Sequence, residues 1–173
     1  MLGSEEMGTK TLISEQEYLT TSYLDRAPEY VDGEIVERSL PNNFHSKAQT
    51  RLILAFGRLE KQHPLFVRAE LRLMVAPEKF RIADVVVYVY EEPLDAVPTQ
   101  IPHLIVEIVS PDDRHEDVMT RLQEYTEWGV PHVWLVNPGL ASLHVYKDAS
   151  LIRVPAFQLP EFSLRLSAEE ILR

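Results

Sequence analysis

Hydrophobic and polar positions change period several times along the 173-residue chain, and each change predicts an element. Ser14 to Leu19 begins with Ser14 and Glu17 at capping-box spacing, a helix start in which a hydroxyl and a carboxylate satisfy free amides. Pro28 ends that region. EYVDGEIVER follows as two short extended pieces around Asp32-Gly33, a hairpin signal. From Phe44 to Lys61 the apolar residues Ala48, Leu52, Ala55, Phe56 and Leu59 recur every three or four positions, which predicts the longest helix, closed by Pro64. LFVRAELRLMV then switches to period two. Leu65, Val67, Ala69, Leu71, Leu73 and Val75 point one way and Arg68, Glu70 and Arg72 the other, so this strand is covered on one face.

RIADVVVYVY and HLIVEIVS hardly alternate at all. Such β-branched apolar runs predict central strands buried on both faces. The intervening EEPLDAVPTQIP, with three prolines, reads as a loop. A second helix is predicted over Asp113 to Trp128, stopped by Gly129 with Pro131 just beyond. HVWLVN, LHVYKD and LIRVP read as three short strands, and LSAEEILR carries another capping box, Ser167 with Glu170. The order predicts an α/β (α+β) domain: one mixed sheet flanked by helices, with additional C-terminal strands. Residues 14–173 read as a single domain and residues 1–13 as a flexible N-terminal segment.

Composition narrows the chemistry. With no cysteine, disulfides, thiolate zinc sites and cysteine catalysis are excluded. A reducing, cytoplasmic compartment fits. No run of ~18 apolar residues predicts a membrane span, and the first residues lack a signal-peptide pattern. Seventeen Lys plus Arg stand against 27 Asp plus Glu, a formal net charge of −10. That balance argues against a protein that coats nucleic acid passively, which would neutralise phosphates with basic residues.

Two acids are out of place. Asp84 interrupts RIADVVVYVY and Glu107 interrupts HLIVEIVS. A lone buried carboxylate costs several kcal/mol by order of magnitude, so it must be protonated, paired or metal-bound. Two such violations on candidate neighbouring strands are what a cation site needs, and hard ions such as Mg²⁺ or Mn²⁺ prefer carboxylate oxygens. The alternative is that each acid caps a strand or pairs with a nearby arginine such as Arg81. His45 reads as a ligand or phosphate contact, or else as a polar residue in the first turn of a surface helix. Arg114 and His115 sit among acids that suit a helix start. Tyr125 and Trp128 read as core, Trp134 as core or interface, and Glu70 as a strand-face charge rather than a third metal ligand. The P-loop, the dinucleotide fingerprint, HExxH and the serine-nucleophile elbow are all missing.

Taken together, YVDGEIVE upstream of His45, RIADVVVY, LIVEIVSPDDR and EYTEWGVPHVWLVNP resemble the restriction endonuclease-like family of the PD-(D/E)XK nuclease superfamily. The resemblance runs from about Ser14 to Arg173. It implies a restriction-endonuclease-like fold with Asp84 and Glu107 as the two motif acids holding Mg²⁺ or Mn²⁺, DNA as substrate, and Glu34 as an additional acid of the site. Two departures stand out. Ala83 replaces the name-giving proline, and Val109 occupies the place of the motif lysine. In related sequences a basic residue comes from the following helix instead, which here is Arg121. Arginine keeps the charge but cannot act as a base. The expectations are therefore a metal-dependent endodeoxyribonuclease, with a catalytically impaired nuclease-fold binding module or a plain α/β domain as alternatives. A homodimer is expected, because two-fold symmetry suits the cutting of two strands.

Overall fold

A computed structural model describes residues 12–24 and 26–173. The expectation for residues 1–13 falls mostly outside them. Of its two described residues, Ile13 is anchored, its amide donating to Gly33 O at 3.0 Å.

The helices and central strands follow their sequence patterns, but the third strand does not keep one covered face: Leu65 and Val67 pack in one core and Leu71, Leu73 and Val75 in the other, across the sheet. Helix α1 (Glu15–Thr20) starts at Ser14, whose hydroxyl accepts from Glu17 N. Strands β1 (Glu29–Val31) and β2 (Glu34–Val36) form the hairpin. Its turn residues Asp32 and Gly33 both take positive φ, at 50° and 90°, as a two-residue turn matching strand twist requires. Helix α2 (Asn43–Leu59) is capped by Asn42, which accepts from two amides of the first turn. Strands β3 (Leu65–Ala76) and β4 (Lys79–Val89) pair along nearly their whole length. Strand β5 (Leu104–Ile108) is buried throughout, and β4 is buried except at its ends.

Helix α3 (His115–Trp128) begins two residues later than its sequence pattern predicts. The Asp113 carboxylate instead accepts from Ser110 N at 2.7 Å, which closes a tight turn before the helix. Gly129, at φ 106°, ends it in the left-handed conformation that only glycine adopts cheaply. Strands β6 (His132–Asn137), β7 (Ser142–Lys147) and β8 (Ser150–Val154) complete the main sheet. Two further strands, β9 (Ala156–Leu159) and β10 (Leu164–Ser167), form a separate pair that the sequence pattern did not predict. Helix α4 (Ala168–Leu172) follows, with the Ser167–Glu170 capping box complete.

The main sheet is mixed: β5 and β6 run parallel and the other pairs antiparallel. Helices α2 and α4 and the β9–β10 pair cover one face, where Trp134 stacks on Phe157 at 4.2 Å. Helix α3 covers the other through Val118, Leu122 and Tyr125. A third cluster joins α1 to the hairpin by Tyr18, Tyr30 and Phe80, with Tyr18 and Tyr30 stacked at 5.1 Å.

The sheet forks along β4. One edge of β4 pairs with β3 throughout. The other edge is shared: β1 takes Lys79 and Phe80, and β5 takes Val85 to Val87. Between them, residues 81–84 have no strand beside them on that edge. Two carboxylates stand in for it. Glu29 Oε1 accepts from Ile82 N at 3.0 Å, and Asp84 Oδ2 accepts from Ile108 N at 2.7 Å. These bonds satisfy amides that an open ladder would leave buried and unpaired.

Candidate active site

The fork opens into a cleft of about 490 Å³, lined by nine carboxylates and five guanidinium groups. All five residues singled out by the sequence line it: Glu34 from β2, His45 from α2, Asp84 from β4, Glu107 from β5 and Arg121 from α3. Excess negative charge in a walled cleft attracts a cation.

Asp84 and Glu107 are both buried. The antiparallel register sets Val85 opposite Val106. One step further brings Asp84 level with Glu107, where the ladder stops and the Asp84 side chain takes over. Asp84 Oδ1 lies 3.5 Å from Arg38 Nη2 and 3.8 Å from Arg26 Nη2, and its Oδ2 lies 3.3 Å from His45 Nε2. These charged contacts are longer than hydrogen bonds to a carboxylate. Arg81, the partner considered for these acids from sequence, is engaged elsewhere. It binds Glu29 at 2.7 Å and Glu124 through two nitrogens.

Arg26 and Arg38 make their short bonds to Glu70, at 2.9 and 2.6 Å. The strand-face reading of Glu70 therefore needs correction. At φ 50°, Glu70 leaves the β3 ladder at the step facing Asp84, between the pairs Ala69–Val85 and Leu71–Ala83. Gln49 bridges the gap, donating to Glu70 Oε1 at 3.1 Å and to the Asp84 main-chain oxygen at 2.9 Å. Burial raises the Glu70 carboxyl, but the two arginines outweigh it and hold the group down at about 2. Glu70 thus stays ionised and fixes the arginines that face Asp84.

Glu107 accepts from Tyr125 Oη at 2.8 Å, and its Oε2 lies 3.5 Å from Arg121 Nε. Burial pushes its carboxyl up to about 8, against the pull of Arg121 and with the Asp84 charge adding to the rise. Tyr125 is core, as its spacing predicts, but it is also the hydroxyl that orients Glu107. His45 is fully buried and faces Asp84, so the surface-helix alternative fails.

Arg114 caps α3 from an exposed position. Arg26, Arg38, Glu70 and Gln49 come from segments far apart in sequence, and no spacing announces them. For Glu70 the one signal was an acid set between two arginines in an alternating strand.

The residues present fit a hard divalent cation. Two buried carboxylates supply oxygen donors. Arg121, 3.5 Å from Glu107, offsets only part of the cost of burying it. Among the described residues, Arg121 Nε and His45 Nδ1 are buried without a hydrogen-bond partner, which leaves polar atoms for a ligand, water or phosphate to engage.

A family model described as "Uma2: Putative restriction endonuclease" matches residues 16–172. Comparison with curated proteins gave no match. Among solved structures, the chain is similar to one titled as a putative nuclease belonging to DUF820 from Anabaena variabilis ATCC 29413. The two share 23% identity and a TM-score of 0.79, over 92% of this chain and 97% of that one. At that identity the likeness shows a shared fold, in agreement with the restriction-endonuclease-like mixed sheet described above. With the family model spanning nearly the whole described chain, the protein belongs to the Uma2 family.

Proposed function

We propose that the chain is a metal-dependent endonuclease hydrolysing DNA phosphodiester bonds, with Asp84 and Glu107 as ligands of Mg²⁺ or Mn²⁺. The observation that carries this reading is the pair of buried carboxylates brought level at the fork, Asp84 and Glu107. When bound, the ion would activate a water and neutralise charge on the phosphoryl group.

The chain's own residues have distinct parts. Asp84 is oriented by the Ile108 amide and Glu107 by Tyr125. Arg121 reaches the same carboxylate and, at 3.8 Å, Asp113. From there it offers a fixed positive charge to the transition state. His45 faces Asp84 at 3.3 Å, and Glu34 lines the same cleft. The acidic lining makes DNA approach dependent on the cation, so binding without metal is weak. A homodimer would present two such clefts to a duplex.

A second reading is a nuclease-fold binding module without catalysis. It is favoured by Val109, which packs on the apolar core beside α3 where the motif lysine would be. Plasmid nicking with Mn²⁺ separates the two. On the endonuclease reading, Arg121→Ala lowers the rate by about 10²-fold, the order of one transition-state donor, and Arg121→Lys recovers most of it. Metal binding by calorimetry with no nicking by any form of the chain would instead establish the second reading.

A further inference from the structure

At the opposite end of β5 from Glu107 lies a second group of ligand-type side chains. His103 directly precedes β5, His132 opens β6, and Glu161 lies in the short 3₁₀ turn Pro160–Phe162 between β9 and β10. One ligand atom from each falls within 4.8 Å of the other two. His103 Nε2 is 2.9 Å from Glu161 Oε1, and His132 Nε2 is 3.7 Å from the same oxygen. The four residues from His103 to Glu107 span about 13 Å of extended strand, so this group is separate from the cleft.

We propose that His103, His132 and Glu161 form a binding site for a borderline divalent cation of the zinc class, which clips the β9–β10 segment to the main sheet.

The metrics suit such an ion. Zinc–ligand distances of 2.0–2.1 Å in a tetrahedron put ligand atoms about 3.3 Å apart. The two Glu161 contacts, at 2.9 and 3.7 Å, fall on either side of that value, and all three ligand atoms lie within 4.8 Å of one another. Two imidazoles and a carboxylate select zinc, cobalt or nickel over magnesium, which prefers oxygen alone.

The frame is also built. His132 N donates to His103 O at 3.2 Å and His103 N to Val87 O at 2.9 Å, so neighbouring strands lock both backbones. The His103 ring meets Phe162 edge-on, at 5.9 Å and 84°, and the His132 ring leans on Trp134. Among the described residues, the ion pairs of Glu161 are with these two histidines alone, so no lysine or arginine holds its charge.

Three protein ligands leave a fourth position, and all three side chains retain some exposure. A water or an incoming ligand could take it. The mechanical effect is specific: Glu161 is tied to the N-terminal ends of β5 and β6, far from Glu107, so the ion would brace the C-terminal segment against the sheet.

The test uses the full, untagged chain in excess Mg²⁺, which competes for the cleft. Titration with Zn²⁺ by calorimetry, and with Co²⁺ by visible absorption, is compared for wild type, His103→Gln, His132→Gln, Glu161→Gln and the double variant Asp84→Asn, Glu107→Gln. The expected result is one equivalent of Zn²⁺, intense tetrahedral Co²⁺ bands and a raised Tm with zinc. All three should survive in the cleft double variant and be lost in both histidine variants. Glu161→Gln should weaken binding about tenfold or more. Circular dichroism on the metal-free variants shows that they are folded, as expected for partly exposed positions. Zinc binding unchanged by the histidine substitutions, zinc binding abolished by the cleft double variant, or no binding at micromolar zinc would each overturn the proposal. None of these outcomes depends on DNA cleavage, so the site stands or falls apart from the proposed nuclease function.

Discussion

Asp84→Asn is expected to lower Mn²⁺-dependent plasmid cleavage by about 10³-fold or more, while the chain remains folded. A metal ligand and its charge contribute several kcal/mol to a phosphoryl-transfer transition state, and 1.36 kcal/mol is tenfold in rate. The amide is the informative replacement because of what Asp84 does in the sheet. Its Oδ2 is the acceptor for Ile108 N, and asparagine keeps an oxygen there. The backbone acceptor is kept while the charge is removed, and the amide NH₂ then faces Arg38 and Arg26. The unfolding midpoint in urea should fall only modestly, and calorimetry should show lost Mn²⁺ affinity. Cleavage equal to wild type would show that the activity came from elsewhere, and a collapse in stability would show Asp84 to be chiefly structural.

Glu107→Gln should change the pH dependence of stability more than any other single substitution in the cleft. The folded carboxyl titrates at about 8, whereas the unfolded one titrates near its ordinary value. Between those two pH values the folded chain holds a proton that the unfolded chain has released. Unfolding is then favoured as pH rises, and the wild type loses stability continuously from about pH 4.5 to about pH 8. Each pH unit of that window is worth about 1.4 kcal/mol, so the full effect is of order a few kcal/mol. Glutamine carries no titrating group. In metal-free buffer the variant should be the more stable form at pH 8–9, and the two chains should converge near pH 4–5. Mn²⁺ should stabilise only the wild type, increasingly as pH rises, since the ion must displace the Glu107 proton. Denaturant melts at several pH values, with and without Mn²⁺, read this directly. Parallel pH curves for the two chains would show Glu107 to be ionised already and matched by Arg121.

The parts of this fold that could be read from sequence were those whose physics is local. The apolar runs around Asp84 and Glu107 are long enough that only a central strand could bury them, so two acids within them stood out at once. The caps at Ser14 and Ser167 and the stop at Gly129 are also written within a few residues. The β9–β10 pair escaped because AFQL and LRLS are four residues each, too short to show a period, with Pro160 between them. The Arg26–Arg38–Glu70–Gln49 group escaped for a different reason. Its members are joined by long-range pairing and by one positive φ, at Glu70, in a stretch that alternates like an ordinary strand. Tyr125 was hidden by its own success as a core residue, because a single hydroxyl at the tip of a packed ring leaves no trace in spacing.

The fork in β4 separates what Asp84 does for the sheet from what the proposed function asks of it. Asp84 completes the sheet whether or not a metal is ever bound, by accepting from Ile108 N. A descendant that had stopped cutting DNA would still be under pressure to keep an oxygen acceptor at that position. An acid or amide surviving there would then record the architecture rather than the activity. Glu107 is under no such backbone obligation, since its bonding partner is the Tyr125 side chain. Under the proposed function, the residue facing that tyrosine in relatives of this chain is therefore the better witness to hydrolysis.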